Sequence, residues 1–215
     1  MGRRRSKKRL QDAYGKRARR EGFPARSVYK LEEIDRRLRL LRPGQNVLDL
    51  GAAPGSWTLY AAKKVGAKGR VLSIDLKDHE GPMPPNVDFR VGDAREQSVE
   101  DLGGPFDVVL SDMAPKTTGQ RSLDQYRSFE LYMTALHIAE RTLKPGGAFV
   151  GKLFQGAEFE EAREAVRAAF AKAKVVRPKA TRDESYEIFL CGLERQGEEP
   201  ASEETPPEGD EEGSG

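Results

Sequence analysis

The sequence predicts an α/β fold with a seven-stranded, mostly parallel sheet, helices on both faces and one antiparallel edge strand. Three observations predict it. Short apolar runs alternate with helix-like segments through most of the chain, as βαβ units require. The first clear run, Val47-Leu48-Asp49-Leu50, passes at once into a glycine-bearing turn from Gly51 to Gly55 and then into a helix-like segment. The last two runs have no helix between them, so they form an antiparallel hairpin at one edge.

The elements follow in order. Residues 1–20 are crowded with Arg and Lys and read as a basic, flexible arm. Ala25 opens a helix in which Val28, Leu31, Ile34, Leu38 and Leu41 form an apolar stripe, and Pro43-Gly44 ends it. Arg36, Arg37 and Arg39 fall on its other faces. The first strand is Val47 to Leu50, and its helix runs from about Ser56 to Val65. Val71 to Ile74 is the second strand, ending in Asp75. Val87 to Val91 is the third, with Gly92-Asp93 at its tip. Arg95 to Leu102 is a short helix or loop. Phe106 to Ser111 is the fourth strand, tipped by Asp112-Met113-Ala114-Pro115. After a polar loop, Ser122 or Asp124 caps a long helix reaching about Leu143. Lys144 to Gly147 is a turn, Ala148 to Leu153 the fifth strand, and Phe159 to Ala173 an amphipathic helix. Val175-Val176 begins the sixth strand, and Glu187 to Leu193 is the seventh. Residues 21–195 thus form one domain, and 196–215 read as a disordered acidic tail.

Composition narrows the class. A chain of 215 residues suits one α/β domain with short extensions. Hydrophobic residues make up 37% and charged residues 33%, and no window approaches the ~20 apolar residues of a membrane helix. The basic N-terminus lacks the apolar core of a signal peptide. The single cysteine, Cys191, excludes an intramolecular disulfide and an all-cysteine metal site, so a reducing, cytoplasmic setting is expected. His79 and His137 are too few and too far apart for a metal cluster, and no metal is expected. The net charge of +2 hides a basic N-terminal region and a tail without any base. A basic arm suggests a polyanion partner, nucleic acid first, and a solvated leader is the bland alternative.

The strand tips suggest a ligand. A dinucleotide fold wants G-x-G-x-x-G against a pyrophosphate. Here the spacing is Gly51-x-x-x-Gly55 with Pro54 inside, a poorer nest for phosphate. Either it is a plain tight turn or it serves a nucleoside ligand without phosphates, of which S-adenosylmethionine is the commonest. Asp75 sits where a ribose diol would find two acceptors, and Asp93 where an adenine edge would meet a polar group. Each alone reads as a strand-ending turn; three strand tips in register point to a cofactor.

Four polar residues occupy strand tips or positions expected to be buried: Lys30, Asp112, Lys152 and Glu187. Lys152 interrupts an apolar strand, which is costly unless it is paired or functional. One reading is a structural salt bridge from Asp112 to Lys152. The other is proton management on an alcohol. A neutral lysine can act as base if desolvation and a second cation lower its pKa. Lys30 supplies that cation, and Asp112 and Glu187 orient the amines and the hydroxyl. The fourth strand lacks an Asn/Asp-Pro-Pro-aromatic turn, and Cys191 lies within the last strand as a core residue. Both absences favour an oxygen acceptor.

These residues resemble the FtsJ (RrmJ-like) family of ribose 2′-O-methyltransferases, and within it the bacterial members acting on large-subunit ribosomal RNA. The resemblance spans about Arg20 to Leu193. It rests on Ser27-Val28-Tyr29-Lys30-Leu31-x-Glu33-Ile34, Val47 to Gly55 with Trp57, Asp75-Leu76, Gly92-Asp93, Ser111 to Pro115, Lys152-x-Phe154-Gln155-Gly156 and Ser185-x-Glu187. It implies a Rossmann-like class I methyltransferase fold. It implies a catalytic tetrad of Lys30, Asp112, Lys152 and Glu187, with Lys152 as base, and S-adenosylmethionine contacts from Gly55, Trp57, Asp75, Asp93 and Asp112. The implied acceptor is a uridine 2′-hydroxyl in 23S rRNA within the large ribosomal subunit, and a monomer is expected. Ser56, where relatives often carry Gly, and the loop Lys116-Thr117-Thr118-Gly119 depart from the family pattern. The alternatives are a transfer-RNA ribose methyltransferase, a non-catalytic RNA-binding assembly factor, and a nicotinamide dehydrogenase, which the glycine spacing disfavours.

Overall fold

Apolar runs become strands and amphipathic segments become helices over residues 13–182 and 185–197, the residues described by the computed structural model of the chain. Residues 13–20 are helical (α1). There follow α2 (Val28–Leu38), β1 (Asn46–Leu50), α3 (Ser56–Val65), β2 (Arg70–Asp75), β3 (Val87–Val91), α4 (Val99–Leu102), β4 (Phe106–Ser111), α5 (Arg121–Thr142), β5 (Leu143–Phe154), α6 (Phe159–Ala169), β6 (Phe170–Val176) and β7 (Glu187–Arg195).

The seven strands form one sheet in the order β3-β2-β1-β4-β5-β7-β6. The first five of that order run parallel. β7 runs antiparallel to both β5 and β6. The expected antiparallel pairing therefore lies at one side of the sheet, with β7 one place in and β6 outermost. Chain order reverses between β1 and β4, which opens a crevice above their carboxyl ends.

Side-chain alternation sends successive residues to opposite faces. Val47, Leu110, Val150 and Phe189 pack under α1, α2 and α3, against Ala18, Leu31, Ile34 and Trp57. Leu48, Leu50, Phe149 and Leu190 pack under α4, α5 and α6, against Leu102, Tyr132, Leu136 and Ala162. Among the described residues no helix is long and apolar enough to cross a membrane.

Four boundaries differ from the sequence expectation. Residues 13–20, expected to be flexible, are helical, because Ala18 is fully buried and Tyr14 packs on Tyr29 with ring centroids 5.4 Å apart. α2 ends at Leu38 rather than near Pro43: Arg39 turns left-handed (φ 54°), and the buried Asp35 carboxylate accepts from the Leu41 N–H at 2.9 Å. The expected turn at Lys144–Gly147 is an irregularity inside β5, marked by a register shift opposite Phe106 and Val108. α6 ends at Ala169 instead of Ala173. Phe170 leaves the helix to pack on Phe149 and over Gly192, where a Cβ would run into the Phe170 ring. The run Arg3 to Arg9 and the tail beyond residue 197 lie outside the described residues.

Candidate active site

The crevice at the sheet reversal is a cleft of about 440 Å³, within the range of ligand sites. Gly51, Asp75, Gly92, Asp93 and Asp112 line it from the tips of β1 to β4, and Met113, Ala114 and Lys116 continue the wall. Gly51 is required twice over. Its φ is 74°, and a Cβ there would meet Met113 Cγ at 2.6 Å, so the β1 turn can lie against the β4 tip only without a side chain.

The three expected acids all reach this cleft. Asp75 accepts from the Ala53 N–H through Oδ2 and from the Lys77 N–H through Oδ1, both at 2.9 Å. Those bonds fix the carboxylate, and each oxygen keeps a second lone pair for a ligand hydroxyl. Asp93 caps the turn Ala94–Glu96, and a hydrogen bond from the Arg95 guanidinium holds its carboxyl below the usual range. The Arg95 guanidinium thus occupies both oxygens of Asp93. Asp112 Oδ1 is buried and accepts no hydrogen bond.

Gly55 and Trp57 are not among the lining residues of the cleft. Gly55 (φ 105°) begins α3, and a Cβ there would strike Met83 Cε at 2.5 Å. The Trp57 side chain is buried in the helical layer: its Nε1 donates to the Ser27 carbonyl at 2.9 Å and its ring lies against Phe189. A cofactor contact from Trp57 would have to come from its backbone.

The four polar residues form two ion pairs at the carboxyl edge of the sheet. Lys152 Nζ lies 3.0 Å from Asp112 Oδ1. This is a charge contact; the hydrogen bond that the lysine makes to Asp112 goes to its backbone carbonyl. Lys30 Nζ lies 2.6 Å from one Glu187 oxygen and 2.8 Å from the other. Thr181 also donates to Glu187, at 3.3 Å. Sheet register joins the pairs: Lys152 is opposite Phe189 and Phe154 opposite Glu187, so Lys152 and Glu187 are diagonal neighbours on one face, roughly 7–8 Å apart. Lys30 reaches that face from α2, with its Nζ 5.9 Å from the Phe189 ring centre. Lys152 keeps only 7% of its surface exposed.

Arg26 borders the same site. Burial and the neighbouring Arg182 push its guanidinium pKa down, Glu187 opposes them, and its buried NH1 finds no hydrogen-bond partner.

Two residues that matter here escape sequence reasoning. Asp49 is wholly buried on β1 beneath the glycine turn. It accepts from Thr58, which also meets Ser73, while its Oδ1 is left without a partner. Burial pushes its carboxyl up to about 7. Ser56 both accepts from the Ala25 N–H (2.7 Å) and donates to the Ala25 carbonyl (3.1 Å), tying the start of α3 to the segment before α2. An acid inside an apolar strand was a visible signal for Asp49. Nothing local signals the Ser56 contact.

Known proteins share the sequence pattern and the fold of this chain. The FtsJ-like methyltransferase family model matches residues 23–195. The chain is 54% identical over 187 residues to the Ribosomal RNA large subunit methyltransferase E of Sorangium cellulosum, covering 86% of this chain and 88% of that protein. It is 49% identical over 189 residues to the protein of the same name from Desulfatibacillum aliphaticivorans, covering 86% and 91%. Among solved structures, a Plasmodium falciparum protein provisionally assigned as a ribosomal RNA methyltransferase superposes with a TM-score of 0.71 at 25% identity. That alignment covers 81% of this chain and all of the other.

Proposed function

The chain belongs to the FtsJ-like methyltransferase family, and from that premise we propose that it methylates the 2′-hydroxyl of a uridine in 23S rRNA of the large ribosomal subunit, with S-adenosylmethionine as methyl donor. The observation that carries the proposal is the pair of lysine–carboxylate contacts, Lys152–Asp112 and Lys30–Glu187, set beside the cleft at the sheet reversal.

The cleft suits that donor. It has room for a nucleoside and fixed carboxylates at Asp75 and Asp93. Asp112 lines the cleft with its Oδ1 3.0 Å from Lys152 Nζ, so it joins the donor cleft to the lysine. When bound, S-adenosylmethionine supplies a methyl group on a sulfonium, already activated for transfer.

The chain's own residues manage the proton and the approach. Lys152 Nζ would take the proton of the 2′-hydroxyl as that oxygen accepts the methyl group. Asp112 holds Nζ at the β4 tip through its carbonyl. Lys30 places a second positive charge on the same face, and Glu187, held by Lys30 and Thr181, orients it. Arg26 and the basic face of α2, including Arg36 and Arg37, meet phosphates, which gives salt-dependent RNA affinity.

The test is Lys152→Ala. Methyl transfer to RNA should fall roughly 10²- to 10⁴-fold, as for loss of a general base, while calorimetry gives an unchanged affinity for S-adenosylmethionine. A variant that keeps full turnover removes Lys152 from the role of base.

A further inference from the structure

We propose that Tyr186 and Arg121 form a stacking platform for an RNA base flanking the acceptor ribose. The proposal rests on the RNA-methyltransferase reading above and names a contact which that reading does not use.

Tyr186 directly precedes Glu187. Its carbonyl accepts from the Gln155 N–H at 2.9 Å, extending the β5–β7 ladder by one step. Alternation then turns its ring to the opposite face from Glu187, with Ile188 and Leu190. That is the α5 side, and Arg121 is the first residue of α5. The Arg121 guanidinium carbon lies 3.8 Å from the centre of the Tyr186 ring. Tyr186 is nevertheless 44% exposed, one of the few large hydrophobic residues left open to solvent. Among the described residues no ion pair claims Arg121.

Both supports of the pair are fixed. Gln125 on α5 donates through its side chain to the Gln155 carbonyl, beside Tyr186. Asp124 accepts from the Thr118 and Gly119 N–H groups and the Thr118 hydroxyl, which holds the loop leading from Lys116 to Arg121. That loop starts at the cleft wall. The platform therefore lies one residue from Glu187 on the α5 side of the sheet edge, and its arginine ends the loop that starts at the cleft wall.

The chemistry fits single-stranded RNA. A planar guanidinium on a tyrosine ring offers a π surface and a positive charge together, which takes any base without reading its edge. An RNA strand whose ribose enters at Lys152 and Glu187 leaves its next base over this edge of the sheet.

The experiment uses the full chain and a short oligouridine carrying one 2-aminopurine, whose fluorescence is quenched on stacking. Wild type and Tyr186→Phe should quench it equally. Tyr186→Leu, which keeps bulk without a ring, and Arg121→Ala should lose the quench and bind roughly 5- to 150-fold more weakly. Tyr126→Leu, at an exposed tyrosine on α5 away from the pair, should behave as wild type. With undermethylated large subunits, Tyr186→Leu should raise the KM for RNA and leave kcat and cofactor affinity unchanged, and its melting temperature should match that of Tyr186→Phe. No quenching by wild type, equal quenching by Tyr186→Leu, or the same loss in Tyr126→Leu overturns the platform. Quenching needs no turnover: a wild type that stacks the probe but methylates no ribose overturns the reaction and leaves the platform standing.

Discussion

Ser56 shows how one hydroxyl can set the geometry of a site without touching a ligand. It satisfies both the N–H and the carbonyl of Ala25, so the segment leading to Lys30 is pinned to the start of α3. Ser56→Ala leaves those groups unpaired in a partly buried place, and should cost about 1–3 kcal/mol, read as a lower denaturation midpoint; an unchanged midpoint would mean water replaces the hydroxyl. Asp49 makes a prediction of a different kind. Its folded pKa, about 7, lies above the ordinary carboxylate value because burial disfavours the charge. The folded state therefore holds the proton more tightly than the unfolded one. The stability linked to Asp49 is fully present below about pH 4 and is lost as pH rises to about 7. Asp49→Asn removes that slope. Urea unfolding of both proteins across this window should show the wild type losing stability with rising pH relative to the Asp49→Asn variant. A difference that stays constant with pH would contradict the assignment.

At the scale of elements, what was legible depended on where the signal lives. The strands and the order of helices were readable because apolar runs and their periods are local. Lys152 was readable because a lysine in an apolar strand is conspicuous, and Lys30, Asp112 and Glu187 because they sit in recognisable motifs. α1 was not, since the buried Ala18 and the partly buried Tyr14 are its packing contacts in a run dominated by Arg and Lys, and Tyr29, which Tyr14 packs on, lies on another helix. The end of α2 was hidden for the same reason: Asp35 reaches forward to Leu41 and across to the Tyr60 hydroxyl, and burial with that bond pushes the tyrosine pKa up. The buried ring of Trp57 likewise answers to Ser27 and Phe189, neither of them near it in sequence. The α1 packing can be checked directly. Ala18→Glu places a charge at a fully buried position and should cost at least about 2 kcal/mol. Arg19→Glu, on the exposed side of the same helix, should stay within about 0.5 kcal/mol. Equal effects on thermal unfolding would mean α1 does not pack as described.

Across the whole molecule, the sheet reversal places two kinds of chemistry side by side. The tips of β1 to β4 make a cleft with fixed carboxylates, and the tips of β4, β5 and β7 carry Asp112, Lys152 and Glu187. Asp112 belongs to both, so in the proposed reaction the methyl donor and the proton acceptor would meet at one residue. Lys30 of α2 and Arg26 just before that helix border this edge, where a polyanion would approach. The measurement that tests this account most directly offers the protein methyl-labelled S-adenosylmethionine with undermethylated large ribosomal subunits, free rRNA and bulk transfer RNA, followed by digestion and identification of the labelled nucleoside. The account predicts 2′-O-methyluridine from the large subunits, absent with Lys152→Ala. Label on a base, label in transfer RNA alone, or no label from a protein that still binds the cofactor would contradict it.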